Sequence, residues 1–72
     1  MHDAYAVRKN GRIVRVDGKP AIFPDAEQAI AACADLTGHT PETVAEETRG
    51  NSRLVDDAGA EWTITLWTRR NA

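Results

Sequence analysis

Tyr5-Ala6-Val7-Arg8-Lys9-Asn10-Gly11-Arg12-Ile13-Val14-Arg15-Val16 is the stretch whose reading decides the fold. Asn10-Gly11 stands between two runs of strand-forming residues, and both residues accept the positive φ of a tight type I′ hairpin turn. With that pair at the tip, Lys9 faces Arg12, Val7 faces Val14 and Tyr5 faces Val16. Tyr5, Val7, Val14 and Val16 then share one face, and Ala6, Arg8, Ile13 and Arg15 share the other. A slip of one residue would turn the apolar set outward, so pattern and turn support each other.

Reading outward, Asp17-Gly18 is a second tight-turn signal. It predicts Val14 opposite Ala21 and Arg12 opposite Phe23, on a short third strand. Pro20 lacks an N–H and assigns that strand to an edge. Asp25 is an N-cap with Gln28 in the capping-box position, so a helix is expected from Ala26 to Thr37, ending at Gly38. Its apolar stripe reads Ala26, Ala29, Ile30, Cys33 and Leu36. Thr40-Pro41 starts a short helix expected to run to about Arg49 and end at Gly50. Glu42, Glu46 and Glu47 make its outer side acidic.

The C-terminal third predicts a second hairpin. Asp57-Ala58-Gly59 suits a three-residue loop that closes Asp56 on Ala60 and sets Leu54 opposite Trp62. Trp62, Ile64 and Leu66 then alternate onto the core face, and Thr63, Thr65 and Trp67 onto the other. This strand is apolar on both sides, which places it inside the sheet, beside the first strand. Arg69-Arg70-Asn71-Ala72 is expected to fray. The expected fold is α+β: an antiparallel sheet of four to five strands in the order β-β-β-α-α-β-β, with helices packed on one face.

The 72 residues correspond to one small domain. Cys33 is the only cysteine, which excludes an internal disulfide and fits a reducing compartment. No apolar run nears the roughly 20 residues of a membrane span. Met1-His2-Asp3-Ala4-Tyr5 has no signal-peptide pattern. The expected location is the cytoplasm. Net charge is −2, yet five of the nine basic residues lie between Arg8 and Lys19 and nine of the eleven acidic ones between Asp25 and Glu61.

The chemistry-bearing residues point away from catalysis. His2, His39 and Cys33 lack metal-ligand spacing, so neither metal nor cofactor is expected. Cys33 lies on the apolar stripe and reads as a small hydrophobe rather than a nucleophile. Glu46-Glu47 and Asp56-Asp57 read as a solvated helix face and turn residues. Each of the five glycines marks a turn or a helix end, leaving no phosphate loop.

A surface remains. The outer sheet face should carry Arg8, Ile13, Arg15, Ile22, Arg53, Val55, Thr63, Thr65 and Trp67. A large aromatic among arginines has the composition of an interface hot spot. Two readings stand side by side. In one, the domain binds a protein through Trp67, Arg8, Arg15, Arg53 and Thr65, or through the acidic helix of Glu42, Glu46 and Glu47. In the other, the basic hairpin and Trp67 bind single-stranded nucleic acid. No membrane partner is expected, and the chain is read as a monomer or an edge-strand homodimer.

A small alanine- and arginine-rich domain without a catalytic set resembles the accessory proteins of phages and mobile elements, the anti-CRISPR proteins among them. That resemblance implies steric inhibition of a host or defence complex. The passage from Ala4-Tyr5-Ala6-Val7-Arg8 through Gly18 to Phe23-Pro24-Asp25-Ala26-Glu27-Gln28-Ala29 is also similar to antitoxin domains, where a strand meander leads into a helix. Neither resemblance carries a functional residue onto this chain.

Overall fold

The computed structural model describes residues 3–50 and 52–68. The readings made for His2 and for the tail 69–72 lie outside these residues. The elements in chain order are β1 (Asp3–Lys9), β2 (Arg12–Ile13), β3 (Arg15–Val16), β4 (Lys19–Pro20), β5 (Ile22–Phe23), α1 (Ala26–Thr37), α2 (Pro41–Glu47), β6 (Leu54–Val55) and β7 (Glu61–Thr68). The main sheet is antiparallel and five-stranded. Its order is β2-β1-β7-β6, with β5 also paired to β1.

The first turn forms as its dipeptide demands. Asn10 and Gly11 sit at φ 53° and 86°, and Lys9 pairs with Arg12. The Val14 amide donates to the Val7 carbonyl at 3.0 Å. Beyond Val14 the chain departs from the expected register. Arg15 and Val16 leave β1 and pair with Pro20 and Lys19 as a separate two-stranded arm. Asp17 and Gly18 close the arm at φ 53° and 78°.

The arm rejoins the sheet where Ala21 donates to Val14 (2.8 Å) and accepts from Val7 (3.0 Å). Ile22 and Phe23 then resume the pairing with Ala6 and Tyr5. Val14 is therefore opposite Ala21, as expected, but Tyr5 faces Phe23 rather than Val16, and Arg12 does not face Phe23. The cause is Val7: its N–H bonds Ala21 and its C=O bonds Val14. The third segment thus continues along β1 instead of adding an outer strand. The predicted third strand is accordingly split into β4 and β5.

α1 has the predicted bounds. Asp25 caps it by accepting from the Gln28 amide (2.8 Å), and the Gln28 side chain donates back to the other carboxylate oxygen (3.2 Å). Gly38, at φ 79°, ends it with a bond to the Ala34 carbonyl (2.8 Å). The buried positions are Ala29, Cys33 and Ala34, whereas Leu36 is 41% exposed. The inward face is thus turned toward Ala34 and away from Leu36. α2 begins at the expected Thr40 cap but stops at Glu47, short of Arg49. Its last turn is drawn in by Thr48, whose hydroxyl donates to the Val44 carbonyl at 2.7 Å.

Both helices feed one core. Val7, Ala21, Ala29, Cys33, Val44, Leu54 and Trp62 form a single buried cluster. α1 packs on β1, β5 and β7, and α2 packs on α1. Among the described residues no helix is long and apolar enough to cross a membrane.

Candidate interaction surface

β1 and β7 are the long central pair, running from Asp3↔Thr68 to Lys9↔Trp62. Residues opposite one another share a face, and faces alternate along each strand. Tyr5, Val7, Trp62, Ile64 and Leu66 therefore look toward the helices. Ala4, Ala6, Arg8, Thr63, Thr65 and Trp67 look away, joined by Ile13, Ile22 and Val55 through their pairings. This gathers most of the expected outer face.

Arg15 is the exception, because it is exposed on the arm and outside the main sheet. The other two arginines expected on this face, Arg8 and Arg53, have partners. Arg8 Nε donates to Thr65 Oγ1 (3.1 Å) and its Nη1 to the Gly11 carbonyl (3.1 Å). This diagonal reach lies over Ala6, the neighbour of both, which is fully buried. Arg53 Nε stands 3.6 Å from Glu61 Oε1, with both side chains more than half exposed; such a pair contributes little stability. Trp67 is half-buried opposite Ala4. Ile13 and Ile22 are also half-buried, and Val55 is 56% exposed. The face is therefore wet, partly apolar and fixed by one arginine.

The second hairpin fixes where this face ends. Asp56 and Ala60 close as expected, with the Asp56 amide donating to the Ala60 carbonyl (3.0 Å) and Gly59 at φ 85°. One Asp56 carboxylate oxygen accepts from the Ala58 and Ala60 amides (2.9 Å each). The other accepts from the Trp62 indole N–H (2.8 Å). The Trp62 bond first, then the two amides and the charge of Lys9, hold the Asp56 carboxyl below the usual aspartate range, against a smaller effect of burial. Lys9 Nζ lies 5.5 Å from the centroid of the Trp62 ring. Leu54 faces Trp62, also as expected.

Past Trp62, β6 no longer runs beside β7. β6 pairs only with Glu61 and Trp62. Glu61 bonds toward β1, its carbonyl accepting from the Asn10 amide at 2.7 Å. Ladder alternation then turns Thr63 and Thr65 toward β1 and Ile64 and Leu66 toward the far edge. Among the described residues, no backbone partner meets Ile64 or Leu66 there. A groove of about 370 Å³ lies beside this part of β7, lined by Gly50, Ser52, residues 63–66 and Tyr5 on the helix side. Leu66 was expected in the core. It has the right face but is 58% exposed.

The acidic candidates form a separate patch. Glu42, Glu46 and Glu47 are all exposed on α2. Glu27 and Glu42 flank a groove of about 380 Å³ between the helices, floored by Ile30, Pro41 and Ala45. Cys33 is buried in the core, and burial pushes its thiol up to about 11. A thiol held protonated at neutral pH is a poor nucleophile. Among the described residues no group of three His, Cys, Asp or Glu converges as a metal site would require. Compared with family models, curated proteins and solved structures, the chain matches none.

Proposed function

We propose that this protein is a non-catalytic protein-binding module whose working face is the outer side of the sheet, centred on Trp67. One observation carries the reading: α1 packs on the sheet, α2 packs on α1, and both feed the core on the side of Val7 and Trp62, so Trp67, Ile13, Ile22 and Val55 stay at least partly open on the other. Half-exposed apolar side chains beside a fixed guanidinium have the composition of an interface centre with a polar rim. Arg8 is already ordered by Thr65 and the Gly11 carbonyl, so a partner meets it with little further loss of side-chain freedom.

In this reading the protein acts as a steric inhibitor of a host or defence complex of the CRISPR kind. The acidic side of α2 supports that refinement, since exposed carboxylates on one helix can occupy a basic nucleic-acid groove. A second reading, in which the protein is a small nucleic-acid-binding domain, is favoured by one feature. Lys9, Arg12, Arg15 and Lys19 are all exposed, the first two beside the Asn10-Gly11 turn and the last two on the arm.

Pull-downs from source-cell lysate with wild type, Trp67→Ala and Glu46→Lys test the proposal. A protein partner lost by about tenfold or more on Trp67→Ala, in a variant that keeps its circular dichroism, is the expected result. Equal recovery by wild type and Trp67→Ala would remove Trp67 from the account. Recovery of nucleic acid instead, falling steeply with salt, would establish the second reading.

A further inference from the structure

We propose that the open edge of β7 pairs with the same edge of a second copy of this chain, antiparallel, about a two-fold axis at Thr65. In that register Ile64 of each copy stands opposite Leu66 of the other. The pairing forms four backbone hydrogen bonds, all from N–H and C=O groups without a partner on this edge of the single chain. On the helix side Leu66 packs against Ile64 of the second copy, covering a side chain that is otherwise 58% exposed. On the outer side Thr65 meets its own counterpart, and Thr63 meets Trp67 of the second copy.

Charge favours a second copy as the occupant. The segment from Trp62 to Thr68 contains no charged residue, so no like charges face each other across the axis. In sequence the strand is preceded by Asp56, Asp57 and Glu61 and followed by Arg69 and Arg70. Antiparallel self-pairing sets the acid-led end of one strand toward the base-followed end of the other. Parallel pairing would set like with like.

The opposite edge of the sheet is protected against such pairing by the arm, which carries Arg15, Lys19 and Pro20. From Trp62 to Leu66, β7 carries no charged residue and no Pro.

A five-residue strand pair is smaller than a standard interface, so dissociation is expected on the order of 100 µM. The pairing does not rest on the Trp67 reading; either can fail without the other. It would join the two sheets into one and set two outer faces side by side.

Sedimentation of wild type, Leu66→Lys, Leu66→Pro and the arm control Lys19→Glu, each from about 10 µM to 1 mM, decides the matter. Wild type and Lys19→Glu are expected to rise from the 7.9 kDa monomer toward twice that mass. Both Leu66 variants are expected to stay monomeric. Leu66→Lys alters only an exposed side chain, so it keeps the test intact if Leu66→Pro fails to fold. Wild type remaining monomeric at the top concentration, or Leu66→Lys dimerising like wild type, would overturn the proposal.

Discussion

Along one edge of the sheet, β1 is met by Arg12 and Ile13, then by the amide of Val14 and the carbonyl of Ala21, then by Ile22 and Phe23. Along the other, β6 meets β7 at Glu61 and Trp62, and among the described residues no backbone partner meets Ile64 or Leu66. The two edges belong to the same central pair and differ in what the chain does beside them. Near β1 the chain makes a six-residue detour, the arm 15–20, and returns to the same line. Near β7 it leaves after two residues of β6. The closed edge serves stability, and the open edge leaves backbone groups and Leu66 available to a partner.

The largest expected effect comes from placing the same substitution on each edge. Val14→Pro removes the N–H that bonds the Val7 carbonyl and strands a buried acceptor. We expect a loss of about 2–3 kcal/mol, or roughly 10–20 °C in melting temperature. Leu66→Pro removes an N–H that has no partner on that edge, and should cost less than about 1 kcal/mol in the dilute protein. Equal losses in thermal melts would erase the distinction between the edges.

A smaller effect is expected at Asp56, which closes the hairpin that covers the start of β7. Its carboxyl is held below the ordinary range, so its contribution is fully present above about pH 4 and lost as pH falls through the lower folded value. Asp56→Asn should melt below wild type at pH 7, and the gap should narrow in acid. A gap that is unchanged between pH 7 and pH 3, measured by thermal melts, would show that the hydrogen bonds rather than the charge matter.

Much of this was legible from local chemistry. Asn10-Gly11, the Asp25–Gln28 box with Gly38, and Asp57-Ala58-Gly59 each specify a backbone geometry by themselves, and the structure has all three. What depends on reach was not legible. A turn at Asp17-Gly18 fixes its own hairpin but not how that hairpin sits on β1, and Tyr5 therefore met Phe23 rather than Val16.

Leu36 and Leu66 have core-like periodicity but no neighbour to bury them. At 12 residues α1 spans about 18 Å, whereas the 8 residues of β7 span about 27 Å, so the sheet outruns its cover. The outer face, with Trp67, Arg8 and Thr65, followed from strand parity. Arg15 and Val16 lie off this face because the chain leaves β1 after Val14 and pairs as the arm. The open edge had no sequence signal beyond the lack of charge between Trp62 and Thr68.

Amide hydrogen exchange at Ile64 and Leu66, followed as the protein is diluted, tests the contrast most directly. The account predicts fast exchange at both amides in dilute protein and growing protection as concentration rises, while the amides of Val7, Val14 and Ala21 stay protected throughout. Protection at Ile64 and Leu66 that matches those three and does not change on dilution would contradict it.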